Sequence, residues 1–254
     1  MVRLLILTGD QLRHKYLAIR LKKRFADSKI ILEKTMPRDL KDKVIRDYFE
    51  EFNATEKRYF SRYVKKNQDI VDNADTIEHK SIKKNEKLIL DFKPDLIIVH
   101  GSSIIPRRLI RKFPYRMINL HAGLSPYYRG SATNVWPFFN KQLQYVGMTV
   151  HFIDKGIDTG EIILQDRPEF EMKDNTHTIG CKCTRLGCDL LIKTINYFIK
   201  TKCLPSEPCS NSRGEQYYIA QFGSECINTI KKNIAYGLVP EYIDNPIKVK
   251  LIRW

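Results

Sequence analysis

Short apolar runs alternate with helical segments along the first half of the chain. The run RLLILTG is followed by a segment in which Leu17, Leu21 and Phe25 fall on one helical face, and KIILEK forms the next apolar run. Strand, helix and strand in this order open a parallel sheet with crossover helices. Four further strands are predicted in the runs LIIVHG, YRMINLH, VGMTVHFID and GEIILQDRPEF. We therefore predict an α/β fold, an open and mostly parallel sheet with helices on both faces.

Helical spacing and turn residues predict how the rest of the chain is organised. Helical segments are predicted at 38–66, 81–92 and 176–200. The stretch CLPSEPCSNSRGEQ is rich in Pro, Ser and Cys and predicts a boundary near 204–214. About forty residues follow that boundary, too few for a sizeable core of their own. The prediction is a domain of residues 1–204 with a helical insertion at 38–66 and a short C-terminal extension, 205–254.

The charge balance favours anionic partners. The chain has 44 Lys and Arg against 29 Asp and Glu, a net charge of +15. Nucleic acid, a phosphorylated metabolite and a polyanionic cofactor all suit this balance, and so does an ordinary solvated surface. The basic residues are interrupted by acidic ones, unlike a dense nucleic-acid-binding arm.

The apolar runs and the cysteines bear on location and on metal binding. No apolar run reaches eighteen residues, and the first reads as a strand, so we expect neither a membrane span nor a signal peptide. Unpaired thiols then favour a cytoplasmic setting. Cys181, Cys183 and Cys188 lack the spacing of a zinc knuckle. We predict that they are small residues on a helix and that they bind no metal.

Two segments carry the candidate chemistry. In NLHAGLSPYYRG, Asn119 and His121 are two residues apart, so they project from the same side of a strand end. The second segment, GIDTG, places Asp158 on a loop between two glycines. An amide and an imidazole can hold a developing oxyanion, and a carboxylate can orient the imidazole. From the residues alone, a structural role for each of them stays open.

The two segments together resemble the folate-dependent formyltransferase family. Its signature pairs Asn-x-His, followed by Leu-x-Pro, with a later Asp-x-Gly-x-Asp-Thr-Gly, which matches NLHAGLSPYYRG and VHFIDKGIDTG here. PDLIIVHGSSIIP and TIGCKCTRLGCDLLIKTI resemble two further family segments, so that the resemblance covers about 94–200. It implies a Rossmann-like formyltransferase fold. The chain departs from the family at Ala122, after the His, and in the first turn.

The resemblance implies roles for individual residues. Asn119 and His121 would polarise the carbonyl of 10-formyltetrahydrofolate, the formyl donor, and hold the oxyanion. Asp158 would support protonated His121 and help to remove a proton from the accepting amine. The donor-binding residues would be Ser102, Ser103, Ile104, Ile105, Asp154, Gly156, Ile157 and Gly160. Arg13 and His14, in the first turn, could contact an anionic substrate or be a solvated helix start.

The resemblance leaves several acceptor amines open. A nucleotide-linked amino sugar, as in carbohydrate biosynthesis, suits a basic cleft, because its pyrophosphate is anionic. Glycinamide ribonucleotide and methionyl-tRNA are the alternatives within the family. The expected partners are this small substrate and a second copy in a homodimer, without nucleic acid or membrane. A basic nucleic-acid-binding protein on a degenerate transferase fold is the alternative from another class.

Overall fold

The structure is a computed structural model that describes residues 2–36, 40–209 and 214–254. Its strands are β1 (Leu4–Gly9), β2 (Ser28–Glu33), β3 (Asp75–Ile77), β4 (Leu96–His100), β5 (Met117–His121), β6 (Tyr128–Gly130), β7 (Met148–Phe152), β8 (Ile162–Asp166) and β9 (Glu215–Tyr217). Its helices are α1 (Leu12–Arg24), α2 (Lys43–Lys66), α3 (Gln68–Asp72), α4 (Glu86–Phe92), α5 (Arg107–Lys112), α6 (Trp136–Phe139), α7 (Thr176–Thr201), α8 (Ser224–Ala235) and α9 (Leu238–Asp244).

Seven of the described strands form one sheet in the order β3-β2-β1-β4-β5-β7-β8. Strands β1 to β5 are parallel, whereas β7 is antiparallel to both of its neighbours, β5 and β8. The predicted open and mostly parallel sheet is therefore confirmed. Strands β6 and β9 form a separate parallel pair.

Helices cover both faces of the sheet, as predicted, because the central strand is apolar on both sides. Leu4 and Ile6 of β1 pack into a core that includes side chains of α1, α2 and α7. Leu5 and Leu7 point the other way, into a core shared with α4 and α5. All four side chains are buried, as expected for a strand in the middle of a parallel sheet.

Helix α2 occupies most of the predicted insertion. It begins where the Asp42 carboxylate accepts hydrogen bonds from the backbone N–H groups of Val44 and Ile45, at 2.7 and 3.2 Å. Such a cap satisfies N–H groups that have no partner within the helix. Residues 38 and 39 of the predicted segment lie outside the described residues.

Two local features between β2 and β4 differ from the prediction. Strand β3 was missed because it has only three residues, so the strand that carries Asn119 is the fifth rather than the fourth. The helix predicted at 81–92 begins only at Glu86, as α4. Before it, the Ser81 hydroxyl donates to the carbonyl of Glu78 and the Asn85 amide donates to that of Ser81, so these side chains favour turns over helix.

Helix α7 confirms the segment predicted at 176–200. The Asn175 side chain accepts hydrogen bonds from two backbone N–H groups of its first turn, at 2.9 and 3.0 Å. Cys181, Cys183 and Cys188 lie on this helix, as predicted, and all three are buried.

The C-terminal residues pack along the domain. Helix α8 lies against α2 and α6, and the tail follows β8, where the Gln165 N–H donates to the Ile252 carbonyl at 2.8 Å. The Trp254 indole N–H donates to the Ile163 carbonyl at 2.7 Å. Residues 210–213 of the predicted boundary lie outside the described residues. Among those described, no helix combines the length and the apolarity needed to span a bilayer.

Candidate active site

Asn119 and His121 project from the same face of β5. Leu120 points to the other face, where it fits against α7 so closely that a Cβ on Gly187 would lie 2.7 Å from Leu120 Cδ2. His121 is only 5% exposed, whereas Asn119 is half-buried. The carboxamide is therefore the more accessible of the two groups.

Asp158 reaches these residues because the hairpin between β7 and β8 folds back along β5. The hairpin leaves the sheet beside Met117, whose carbonyl accepts a hydrogen bond from the Ile153 N–H at 2.9 Å. Asp158 nevertheless contacts His121, at the other end of β5. The backbone of Asp158 is left-handed, with φ of 51°, an uncommon conformation for a residue other than Gly.

Glycine makes this hairpin tight. A Cβ on Gly160 would lie 1.7 Å from the carbonyl oxygen of Phe152, so no side chain fits there. The Asp154 carboxylate accepts hydrogen bonds from the Gly156 N–H and the Thr159 hydroxyl, at 2.9 and 2.8 Å. The side chain of Asp154 thus holds the loop, and Asp158 is left to face β5.

The three predicted catalytic side chains meet at the Asp158 carboxylate. Oδ2 lies 3.3 Å from His121 Nδ1, and Oδ1 accepts a hydrogen bond from Asn119 Nδ2 at 3.1 Å. The backbone N–H of Gly130 also donates to Oδ2, at 2.9 Å. A carboxamide, an imidazole and a carboxylate drawn from two distant segments thus form one cluster.

His151 also belongs to the cluster, although it was not predicted from the sequence. It pairs with Asn119 in the antiparallel register of β5 and β7 and is 3% exposed. Its Nε2 lies 3.1 Å from Asn119 Nδ2 and 3.4 Å from Asp158 Oδ1. Its Nδ1 donates to the Phe152 carbonyl at 2.8 Å. The signal that could have found it is its place in the alternating run VGMTVHFID, on the face that Asn119 occupies.

The hydrogen bonds fix where a proton can be taken up. His121 Nε2 lies 2.8 Å from the Tyr128 carbonyl oxygen, an acceptor, so Nε2 carries the hydrogen and Nδ1 presents its lone pair to Asp158. Burial lowers the pKa of His121 from its ordinary value, although the Asp158 charge opposes this. Neutral His121 can therefore accept a proton at Nδ1.

Asp158 is the ionised member of the cluster. Burial by itself would raise the pKa of its carboxyl, but His121, His151 and the Gly130 N–H together hold this pKa well below the ordinary value. At neutral pH the cluster thus contains one carboxylate beside a neutral imidazole that it helps to protonate.

The turn after β4, which was predicted to bind the formyl donor, has both exposed and buried side chains. Ile104 is 83% exposed, whereas Ile105 is buried in the core. The Ser103 N–H and hydroxyl both donate to the buried carboxylate of Glu33, at 2.6 and 2.7 Å. The Ser102 hydroxyl donates to the Ser103 carbonyl at 3.1 Å. Ile104 is therefore the apolar side chain that this turn presents to solvent, and Ile157 does the same, at 40% exposed, on the Asp158 hairpin.

The turn between β1 and α1 is filled by packed side chains. His14 is buried between two glycines, since a Cβ on Gly9 or on Gly101 would lie 2.4 Å from its ring. Arg13 forms an ion pair with buried Glu56 at 2.8 Å. His14 is thus a packed side chain rather than part of a solvated helix start.

Neither an activated thiol nor a metal cluster stands beside these groups in the described part of the chain. Cys209 lies against the hairpin, with Sγ 3.9 Å from the Asp158 carbonyl oxygen. Burial raises the pKa of this thiol, so it stays protonated at neutral pH. Over residues 2–36, 40–209 and 214–254, no group of three or more His, Cys, Asp or Glu side chains is arranged to hold a metal ion.

The chain belongs to the formyl transferase family, whose model it matches over residues 29–195. A methionyl-tRNA formyltransferase from Desulforamulus reducens is 37% identical to it over 135 residues, which are 52% of this chain and 42% of that protein. The chain thus spans less than half the length of this curated relative.

Solved structures share the fold. An N-formyltransferase from Helicobacter canadensis, in complex with folinic acid and dTDP-3-aminofucose, aligns with a TM-score of 0.59 and 19% identity, over 90% of this chain and 79% of that one. A phosphoribosylglycinamide formyltransferase from Anaplasma phagocytophilum aligns with a TM-score of 0.59 and 14% identity, over 86% of this chain and 98% of that one. At these identities the likeness shows the fold alone.

Proposed function

We propose that the protein is an N-formyltransferase that moves a formyl group from 10-formyltetrahydrofolate to the primary amine of a nucleotide-linked amino sugar. The observation that carries the proposal is the Asn119–His121–Asp158 cluster, in which all three side chains meet at one carboxylate. Such a set can assist acyl transfer to an incoming amine without a covalent enzyme intermediate, because the amine itself is the nucleophile.

The residues beside the cluster fit the folate donor. Its pterin ring is flat and aromatic and needs an apolar surface together with backbone hydrogen-bonding groups. Ile104 is exposed on the loop after β4, the strand that pairs with β5, and Ile157 is exposed next to Asp158. An exposed apolar side chain gains free energy when a ligand covers it. When bound, the donor would supply the formyl group.

Asn119 is the best-placed donor for the formyl carbonyl oxygen. Its side chain is half-buried, whereas His121 is buried, and one of its N–H groups faces His151 Nε2, from which it can turn to a stronger acceptor. An N–H group placed where negative charge develops stabilises the transition state by about 3 kcal/mol. His121 would first have to release the Tyr128 carbonyl to act in the same way.

His121 and Asp158 take up the proton that leaves the amine. The reaction joins the amine nitrogen to the formyl carbon and breaks the bond from that carbon to the donor nitrogen. One amine proton must leave as the first bond forms, and the donor nitrogen must gain one, so that each turnover passes a single proton from the amine, through His121, to the donor nitrogen. The lone pair on His121 Nδ1, 3.3 Å from the Asp158 carboxylate, is the site of uptake, since the carboxylate stabilises the resulting imidazolium.

The nucleotide-linked amino sugar is supported by charge and by fold. A net charge of +15 suits a pyrophosphate. The structural relative from Helicobacter canadensis was crystallised with dTDP-3-aminofucose. The sequence relative from Desulforamulus reducens favours methionyl-tRNA as a second candidate acceptor, on a match limited to 42% of its length.

The test offers the protein 10-formyltetrahydrofolate with each acceptor in turn. The panel contains 3-amino and 4-amino nucleotide sugars, glycinamide ribonucleotide and methionyl-tRNA, and mass spectrometry detects formyl in place of hydrogen. We expect the formyl group to appear on a nucleotide sugar, and Asp158→Asn is the matched inactive control. A gain on methionyl-tRNA alone would reassign the acceptor. Salt-sensitive binding of random RNA, without any formyl transfer, would instead favour a nucleic-acid-binding protein.

A further inference from the structure

Strand β6 supplies one backbone group to each of two titratable members of the cluster, His121 and Asp158. The Tyr128 carbonyl accepts the hydrogen bond from His121 Nε2 at 2.8 Å, and the Gly130 N–H donates to Asp158 Oδ2 at 2.9 Å. The two groups are two residues apart on a three-residue strand. The position of β6 therefore sets the orientation of both the imidazole and the carboxylate.

Strand β6 lies outside the seven-stranded sheet and is held by β9, from the C-terminal residues. The Glu215 N–H donates to the Tyr127 carbonyl at 3.1 Å, and the Ser131 N–H donates to the Tyr217 carbonyl at 2.9 Å. These bonds tie both ends of β6 to a segment that lies far away in the sequence.

Gly130 allows the two strands to approach this closely. Its φ of 92° is in the left-handed region, and a Cβ at this position would lie 2.1 Å from the Tyr217 carbonyl oxygen. A side chain would therefore push β6 away from β9 and move the Gly130 N–H from Asp158.

The ring of Tyr217 fixes the pair from the side. It stacks on Tyr128 with the ring centroids 5.4 Å apart and an angle of 7° between the planes, and on Trp136 at 4.7 Å and 18°. The Asn140 amide donates to the hydroxyl groups of Tyr128 and Tyr217, at 2.9 and 2.8 Å. All three aromatic side chains are buried.

From these contacts we propose that Tyr217 is a positioning residue of the active site. Its ring and carbonyl hold β6, so that the Tyr128 carbonyl and the Gly130 N–H stay on His121 and Asp158. The C-terminal residues are thus part of the catalytic unit rather than an appendage. The inference rests on the proposed formyl transfer for its kinetic consequence, whereas its structural consequence at His121 is independent of any substrate.

Three variants test the proposal. Tyr217→Ala removes the stacked ring, and Tyr217→Phe keeps the ring but removes the hydroxyl that bonds Asn140. Leu21→Ala is the control for lost stability, since Leu21 is fully buried on α1 and takes part in none of these contacts. If Tyr217→Ala does not fold, Tyr217→Leu replaces it. Kinetics with the formyl donor and thermal unfolding are measured for each.

Positioning predicts a specific pattern in these measurements. Tyr217→Ala should lower kcat roughly a hundredfold, with KM changed only a few-fold, because a shift of about 1 Å in catalytic groups costs that much. Tyr217→Phe should restore kcat to within a few-fold of wild type. Leu21→Ala should lower the melting temperature without this loss of kcat. Equal kcat in Tyr217→Ala and wild type would overturn the proposal.

Nitrogen NMR of labelled histidine gives a readout that needs no turnover. In the wild-type protein His121 should be the Nε2–H tautomer with a slowly exchanging hydrogen, because this hydrogen bonds the Tyr128 carbonyl. Tyr217→Ala should mix the tautomers and speed the exchange, while Leu21→Ala should do neither. An unchanged tautomer in Tyr217→Ala refutes positioning even if no acceptor is found, whereas a changed tautomer without any turnover counts against the proposed reaction alone.

Discussion

Acidification should destabilise the protein through its buried histidines, and His100 is the one for which a magnitude can be derived. It is the last residue of β4, 7% exposed, with Nδ1 2.7 Å from the Leu120 carbonyl and its ring edge-on to His14 at 5.1 Å. Burial, with the charges of Arg13 and His121, lowers the pKa of His100 from 6.5 to about 4, although the bond to Leu120 opposes the shift.

A lowered pKa in the folded state means that stability rises with pH. The unfolded chain takes up a proton at this histidine once the pH falls below 6.5, whereas the folded protein resists until about pH 4. The contribution of His100 is thus complete above pH 6.5 and is lost as the pH falls towards 4. Between pH 7 and pH 5 the loss is about 2 kcal/mol, since each pKa unit corresponds to about 1.4 kcal/mol. Burial also lowers the pKa of His14, His121 and His177, which adds to the effect.

The assay is urea unfolding of the wild-type protein and His100→Asn at pH 7 and pH 5, followed by circular dichroism. Asparagine can keep an N–H group directed at the Leu120 carbonyl but does not titrate. The free energy of unfolding of each protein at pH 5 is compared with its own value at pH 7. We expect this free energy to fall by about 2 kcal/mol less in the variant than in the wild type. Equal losses in the two proteins would refute the assignment to His100.

Two further predictions concern the candidate site and the thiols. Asp158→Asn keeps the size of the side chain but removes the charge that stabilises a proton on His121, so kcat should fall about a hundredfold or more in single-turnover formyl transfer; near-wild-type turnover would exclude Asp158 from the mechanism. Burial raises the pKa of Cys181 and Cys188 to about 12, whereas Cys203 is exposed. Iodoacetamide at pH 8 should therefore alkylate Cys203 in the native protein and the other two only after unfolding, as peptide mass mapping would record; equal rates in the native state would contradict the buried positions.

Short-range spacing was enough to predict the strand half of the site. Asn119 and His121 share a face because side chains on a strand alternate, and no knowledge of the remaining chain is required. The glycines around Asp158 likewise predicted a tight loop. The direction in which that loop folds depends on the left-handed φ of Asp158 and on the contact between Gly160 and Phe152, which the sequence does not encode locally.

Side chains that depend on strand order were harder to predict. His151 joins the cluster because β7 runs antiparallel to β5 and places it opposite Asn119. Both strands were predicted from the sequence, but neither their pairing nor its register was. Ser103 was predicted to contact the formyl donor. The sequence did not predict that its N–H and hydroxyl donate to Glu33, at the end of β2, which is two positions from β4 in the sheet.

The pairing of β6 with β9 could not be predicted from the sequence. Each strand has three residues, too few for an alternating pattern, and Tyr128 and Tyr217 lie far apart in the sequence. The two strands are joined by a stack of buried rings and by Gly130, which has no side chain and so leaves room for the Tyr217 carbonyl. The Gly130 N–H and the Tyr128 carbonyl are backbone groups, so the residue types do not reveal their role. The boundary predicted from composition near 204–214 therefore lies between the candidate catalytic residues and β9, the strand that pairs with β6.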